Sequence, residues 1–588
     1  MHCLVSRAPH QKRGGCRFSP PRGGLGLCQG NYEGAVGLVA FCTLAYVLCI
    51  TLSVGPLRHL APVRMTSGAS TLLAHISTAL PTNLGLASVP SISRQETGYL
   101  ETMLLLALGF TIYGLCAVCL CRRGEPTRQS ALLAWIGLGA GAGGAIYLFA
   151  PGLLSQDLYS YASYGRLLVA YHANPYFVPA SAYPHDPLYP YIFWKTVVPL
   201  YGPVWIGVCA LVSAIAGADH GAVVLAFRAF ALVMHLLNML LVAAVLQTRG
   251  QSPRTVALGT QLYGWNPLVV LESSLNGHVD VFMLTFLLLG LLLRARAERA
   301  GFSRWGGMVA PLLPLVLAAL VKYIALPAVA LALVLAWRTV LTGPSCSASA
   351  GRASRRPRWE PALRTLLGGT ALCGGTVAAF YGPFLRGHSV REAVGIYAAQ
   401  PSTTGAFNSL LFTIRVWSKM RLLPASLTPL REHTLWTLGT LAAMLVALVG
   451  GALWVWRVPT TRTLALAALG TWGAFLVGSP WFFPWYLTAL VGLVAVSLPV
   501  GADRLGRALA AFALTFSASS FLVYYSTVVG WLLLSATPPR TDWALLISGA
   551  TLGAPLLAFL AFLVRAPRRA QALGGGGRQG EERMPLPG

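Results

Sequence analysis

Long apolar runs alternate with short polar connectors along this chain, and the alternation predicts its elements. Crossing a bilayer takes roughly 20 apolar residues per helix. Runs of that kind fall at 35–55, 99–120, 131–150 and 222–247. Others follow near 255–275, 279–294, 307–321, 324–340, 364–381, 434–456, 462–478, 485–499, 506–533 and 543–566. The pattern predicts an all-α protein, a polytopic transmembrane helical bundle of about 13–14 spans. One further run, 201–217, opening Tyr201-Gly-Pro-Val-Trp205, is also apolar enough for a short span. Basic residues decide its place. If it crossed as well as 222–247, then Arg249, Arg254 and the cluster Arg294, Arg296, Arg299, Arg304 would lie outside, although short basic loops stay inside. The segment is therefore expected to lie at the outer interface as a juxtamembrane helix.

With that choice the basic connectors 338–364, 457–462, 504–507 and 565–569 all fall inside. Both termini are then cytoplasmic in a multi-pass cell-membrane protein. A basic tail over 1–34, with Arg7, Lys12, Arg13, Arg17 and Arg22, precedes a membrane domain spanning 35–570, and no cleavable signal follows it. Two long outer loops are expected within that domain, about 151–220 and 383–433, besides a shorter one at 56–98. The Gly-rich end, 571–588, reads as a disordered cytoplasmic tail.

Composition excludes a soluble globular protein: 55% of the 588 residues are hydrophobic, only 10% are charged, and the mean hydropathy is +0.64. The net charge of +26 would point to nucleic acid in a soluble protein. Here the arginines sit between apolar runs, so the charge reports orientation and no nucleic-acid partner is expected. The eleven cysteines are scattered. Their one cluster, Cys116, Cys119 and Cys121, has no second ligand pair at zinc-like spacing, so small buried side chains are expected and no disulfide framework is implied.

Ionisable groups at membrane depth are functional candidates by default. Asp157 stands in Ser155-Gln-Asp-Leu-Tyr-Ser-Tyr161, just after a span emerges, within a stretch dense in aromatic and polar residues: Tyr159, Tyr161, Tyr164, Tyr171, Asn174 and Tyr176. Such a surface suits a carbohydrate. Ser155 capping a helix whose first turn holds Asp157, or an ion pair with Arg166, would explain the carboxylate equally well. Trp265-Asn-Pro267, Glu272 and Asn276-Gly-His-Val-Asp280 form a second group. An Asn-Gly turn accounts for Asn276 and Gly277 but not for Glu272, His278 and Asp280. A divalent metal on the latter three is possible by residue type, but the spacing is not diagnostic, and no cofactor is implied. Lys322, at the joint of two short runs, either snorkels to the interface or neutralises a lipid phosphate. Ser479-Pro-Trp-Phe-Phe-Pro-Trp-Tyr486 reads as an interfacial aromatic belt or as a rigid platform on which Trp481 and Trp485 stack on a sugar ring.

Taken in order, Asp157-Leu-Tyr-Ser-Tyr161, Asn174-Pro-Tyr176, Tyr201-Gly-Pro-Val-Trp205, Trp265-Asn-Pro267 with Asn276-Gly-His-Val-Asp280, Leu320-Val-Lys-Tyr323 and Pro480-Trp-Phe-Phe-Pro-Trp-Tyr486 resemble the GT-C glycosyltransferases. More closely they resemble the actinobacterial polyprenol-phosphate-mannose-dependent α-1,6-mannosyltransferases, over about 130–500. That resemblance implies a GT-C fold with outer juxtamembrane helices and a catalytic base at Asp157. It implies a polyprenyl-phosphate sugar donor, a glycan or glycolipid acceptor among the membrane lipids, and inversion at the anomeric carbon on the outer face. Tyr159, Tyr161, Arg166, His278, Asp280, Lys322, Arg386, Trp481 and Trp485 are the candidate substrate contacts, with Lys322, Arg386 and His388 offered to the phosphate. A transporter, a lipid-linked-sugar flippase, or an enzyme of the same type for another hexose or pentose is the alternative. Polar groups gathered at one face, in loops and without an inverted repeat, favour the enzyme.

Overall fold

The computed structural model describes residues 30–57, 94–122, 128–301, 305–342, 359–399, 406, 408–419, 421, 424–500, 503–524 and 546–564. Most of the N-terminal tail, most of the 56–98 loop, the 343–358 connector and the C-terminal tail lie outside these residues. The described residues form helices and turns, with no strand among them. Eight helices among them are long and apolar enough to cross a membrane: Ala35–Leu57, Glu101–Arg122, Gln129–Leu148, His220–Thr248, Tyr323–Thr342, Trp359–Tyr381, His433–Arg457 and Arg504–Tyr524. Four shorter apolar helices, Pro203–Ala216, Gly306–Val321, Pro484–Val496 and Gly549–Val564, complete the apolar set. Large apolar side chains such as Leu240, Leu445 and Val446 face outward from the spans, as lipid contact requires.

Several expected runs fall short of a full span for visible reasons. The run at 255–275 breaks into α7 (Pro253–Gly264) and α8 (Pro267–Ser274), because Pro267 has no amide hydrogen to continue the ladder. Asn266 caps the restart, its Oδ1 accepting from the amides of Leu268 and Val269 at 3.1 and 3.3 Å. Its own amide group donates to Ser517 Oγ, 3.1 Å away. The break is thus satisfied by protein, the condition for irregular backbone at membrane depth. Trp265 holds the same corner, donating to Ile136 O at 2.7 Å and stacking on Tyr46. The helix α9 (Asp280–Arg299) has the length to span but carries Asp280 at one end and Arg294, Arg296, Glu298 and Arg299 at the other.

The helices run back and forth between two ends. One end gathers the C-terminus of α3 (Gln129–Leu148) and the N-termini of α6 (His220–Thr248) and α9. It also holds the C-termini of α10 (Leu312–Val321), α12 (Trp359–Tyr381) and α14 (Thr461–Gly478). The loop 149–202 covers it, with two short helices. The first, α4 (Asp157–Val169), packs on α5 (Pro203–Ala216) so closely that a Cβ on Gly165 would stand 2.0 Å from Cys209 O. The second helix starts and finishes at this same end. Gly202, at its start, donates to Val321 O at 3.1 Å, and His220, just beyond its finish, meets Tyr159 OH at 2.8 Å. The 201–217 run therefore does not cross, as the charge parity predicts.

Candidate active site

Asp157 is the first residue of α4 and stays partly exposed. Ser155 is not the cap: the helix begins after Gln156, and Ser155 Oγ accepts from the Asp157 amide at 3.3 Å in a local turn. The alternative pairing of Asp157 with Arg166 is also absent. Nine residues of helix separate the two by about 13 Å along the axis, and the Arg166 guanidinium lies 2.7 Å from Asp186, which Tyr171 OH bonds as well. Asp157 Oδ1 instead accepts from the indole of Trp194 at 3.1 Å. Burial raises the carboxyl pKa, opposed by the Trp194 bond and by the charge of Lys322 and reinforced by Asp280, with the balance near about 6.

Lys322 ends α10 in an extended conformation before a single 3₁₀ turn, Tyr323–Ala325, leads into α11 (Leu326–Thr342). That kink turns its ammonium inward. Nζ bonds both oxygens of Asp280, at 2.8 and 3.0 Å, and lies 4.1 Å from the ring centroid of Tyr486 and 5.9 Å from that of Tyr201. The turn is locked from the other side by Tyr201-Gly-Pro. A Cβ on Gly202 would stand 2.0 Å from Leu320 O, so only glycine permits the approach. Two motifs more than a hundred residues apart thus build one corner of the site.

Beneath Asp157 lies a buried polar floor. His278 stacks on Trp485 with centroids 3.9 Å apart, and its Nδ1 is 3.3 Å from Tyr161 OH. Its Nε2 is 3.4 Å from Glu272 Oε2. Glu272 also accepts from Asn276 Nδ2 at 2.9 Å and from the Tyr524 hydroxyl. Asn276 Oδ1 in turn accepts from the amide of Leu154, three residues before Asp157. Gly277 makes the turn with φ +67°, which favours glycine. The Asn276-Gly-His-Val-Asp280 segment therefore ties the second group of candidates to the first through backbone and side chain. Among the described residues no group of three His, Cys, Asp or Glu side chains is placed to hold a metal ion.

The rim is aromatic. Trp194 approaches Trp481 with centroids 5.8 Å apart, Phe483 stacks on Trp485 at 4.5 Å, and Tyr486 stands edge-on to both Phe483 and Trp485. Trp481 and Tyr486 are partly exposed, whereas Trp485 is covered between His278 and Phe483. Of the two indoles, only that of Trp481 therefore presents an accessible face. Tyr159 and Tyr161 are likewise buried supports, the former bonded to His220 and packed on Tyr191. Arg386 is exposed on the 382–388 turn. That turn meets the first loop where Asn174 Nδ2 donates to Phe384 O at 2.6 Å and Phe177 stacks on His388, whose Nδ1 lies 3.1 Å from Glu392.

The site thus brings together an aspartate on a helix N-terminus, a lysine–aspartate pair and a partly exposed aromatic rim. Residues 65–339 match the family model described as Alpha-(1->6)-mannopyranosyltransferase, N-terminal domain. The resemblance drawn from the motifs is borne out. The match takes in Asp157, Tyr201, His278, Asp280 and Lys322, whereas Arg386 and the Ser479–Tyr486 segment lie beyond the mannopyranosyltransferase match. No curated protein matches the chain.

Five participants escape a reading by sequence: Trp194, Tyr201, Tyr486, Tyr524 and Arg228. Tyr201 and Tyr486 lie inside motifs that were noticed for their neighbours, and nothing distinguishes Trp194 from other loop aromatics. Arg228 did leave a signal, a cation in the apolar run of α6. It is fully buried, and its guanidinium donates to Leu275 O, Leu148 O, Ala150 O and Gly152 O. Those carbonyls lie at or just beyond the ends of α8 and α3, so one side chain fixes the segments that lead into His278 and into Asp157.

Proposed function

We propose that this protein is an inverting α-1,6-mannosyltransferase that moves mannose from a polyprenyl-phosphate donor to a glycan or glycolipid acceptor at the outer membrane face. The observation that carries this is Asp157, a partly exposed carboxylate of raised pKa held by Trp194 and flanked by the Lys322–Asp280 pair at one end of the bundle. The family match supports the activity and the linkage class. The charge distribution supports the face. Arg122, Arg249, Arg254, Arg296, Arg299, Arg457, Arg462 and Arg504 stand at the end opposite Asp157, where short basic connectors belong inside.

In the proposed step the acceptor hydroxyl attacks the anomeric carbon while its proton passes to Asp157. The bond from that carbon to the phosphate oxygen breaks, and the polyprenyl phosphate leaves as a stable anion. A carboxylate with a pKa near 6 is mostly ionised at neutral pH and is a stronger base than an ordinary aspartate. Because the leaving group needs no protonation, positioning and charge neutralisation supply the rest. Lys322 is the candidate for that charge. Its pairing with Asp280 holds the ammonium in place but opposes its field, so Arg386 on the neighbouring turn is a second candidate. Trp481 and Trp194 offer the stacking faces for the sugar.

Purified protein given a polyprenyl-phosphate mannose donor and a short mannoside is expected to transfer label without added nucleotide or metal. Asp157→Asn is expected to lower kcat by about 10²–10⁴ at unchanged expression. Transfer from GDP-mannose and none from the lipid donor would refute the donor assignment, and wild-type turnover by the Asp157→Asn protein would remove the base.

A further inference from the structure

The bundle end opposite Asp157 holds a cavity of about 520 Å³, formed where three helices of the bundle terminate. It is lined by the turn after α6 with Arg249, the end of α9 with Glu298 and Arg299, and the start of α14 with Arg462. The charges around it are not balanced. Glu298 is spent on the N-terminus of α14, its Oε2 accepting from Thr461 N at 2.8 Å and from Thr461 Oγ1 at 2.6 Å. Arg462 is compensated by Asp503 at 3.1 Å and also donates to Ser497 O and Val500 O. Arg249 and Arg299 have no carboxylate partner among the described residues. Arg249 uses Nη1 on Val496 O and Leu498 O, and this fixes the guanidinium on the wall while leaving its remaining nitrogens unbonded to protein. Arg299 is exposed at the rim.

Burial, and then repulsion from the neighbouring Arg462, push the pKa of Arg249 down to about 10, with Glu298 only partly opposing them. A cation held at such a place is relieved by an anion. The cavity has no aromatic side chain to stack a nucleobase, and it lies at the end of the span His220–Thr248, the depth of lipid phosphates. Two arginines without a carboxylate at ion-pair distance match one phosphodiester. We propose that this cavity binds the phosphate of an anionic membrane lipid, with Arg249 as the fixed donor and Arg299 as the closing one. The proposal does not depend on the transfer reaction at the other end.

The test uses the purified full chain in detergent and follows thermal unfolding with added phosphatidylglycerol, phosphatidylcholine or inorganic phosphate. Phosphatidylglycerol is expected to raise the midpoint by several degrees and phosphatidylcholine to leave it unchanged. Arg299→Glu, exposed and free of intramolecular bonds, is expected to fold normally and to lose most of that rise, with binding at least about tenfold weaker by native mass spectrometry. A rise with inorganic phosphate equal to that with the lipid would identify free phosphate as the occupant and overturn the lipid assignment. Equal stabilisation by both lipids, or an unchanged response of Arg299→Glu, would overturn the site.

Discussion

Trp194→Phe tests how Asp157 is tuned. The indole donates its only hydrogen bond to Asp157 Oδ1 at 3.1 Å, and it stabilises the carboxylate without stabilising the protonated acid to the same degree. Phenylalanine keeps most of the ring and removes the donor. A hydrogen bond to a charged group is worth about 1.5–3 kcal/mol, which partial exposure reduces to an effect of about one pKa unit. The pKa of Asp157 then moves from about 6 to about 7. Because the base must be ionised, activity rises with pH through the pKa, and the variant's acid limb lies at higher pH. At pH 6 the ionised fraction falls from about one half to about one tenth, so kcat/KM drops about fivefold, whereas at pH 8 it changes by less than about twofold. The assay is initial-rate transfer by purified protein from pH 5 to 9, with thermal unfolding as a check on folding. An acid limb at the same pH in both proteins would refute the tuning. A loss of equal size at every pH would mean that Trp194 acts on substrate and not on the base.

Three further outcomes follow from the packing. Asp280→Ala leaves the Lys322 ammonium unpaired and is expected to destabilise by about 3–5 kcal/mol, with Asp280→Ala/Lys322→Ala recovering part of that loss in thermal unfolding; a double variant no more stable than the single would contradict the pairing. Gly202→Ala drives a Cβ into Leu320 O and is expected to lower the unfolding midpoint and to cut transfer more than Gly207→Ala, whose Cβ meets nothing within 4 Å. Ala214→Cys, exposed on α5 in a background without other cysteines, is expected to react with an impermeant reagent added outside intact cells. Labelling only after permeabilisation would place that end of the bundle inside.

The sequence by itself determined the class, the order of most apolar helices and the identity of the principal polar residues. Hydrophobicity along a chain is a one-dimensional quantity, and a bilayer reads it in one dimension, so apolar runs and basic connectors suffice to order the helices and to keep 203–216 at one end. Asp157, His278, Asp280 and Lys322 were likewise visible, because ionisable groups are rare in such runs and each one is conspicuous. Their partnerships were not visible. That Lys322 holds Asp280, that Arg166 turns to Asp186, and that Trp485 lies under His278 while Trp481 stays at the rim depend on contacts between distant segments. No local pattern encodes such contacts. The buried Arg228 marks the boundary: its charge was legible in the sequence, but only packing at the ends of α3 and α8 turns that charge into four hydrogen bonds that hold the site's two loops together.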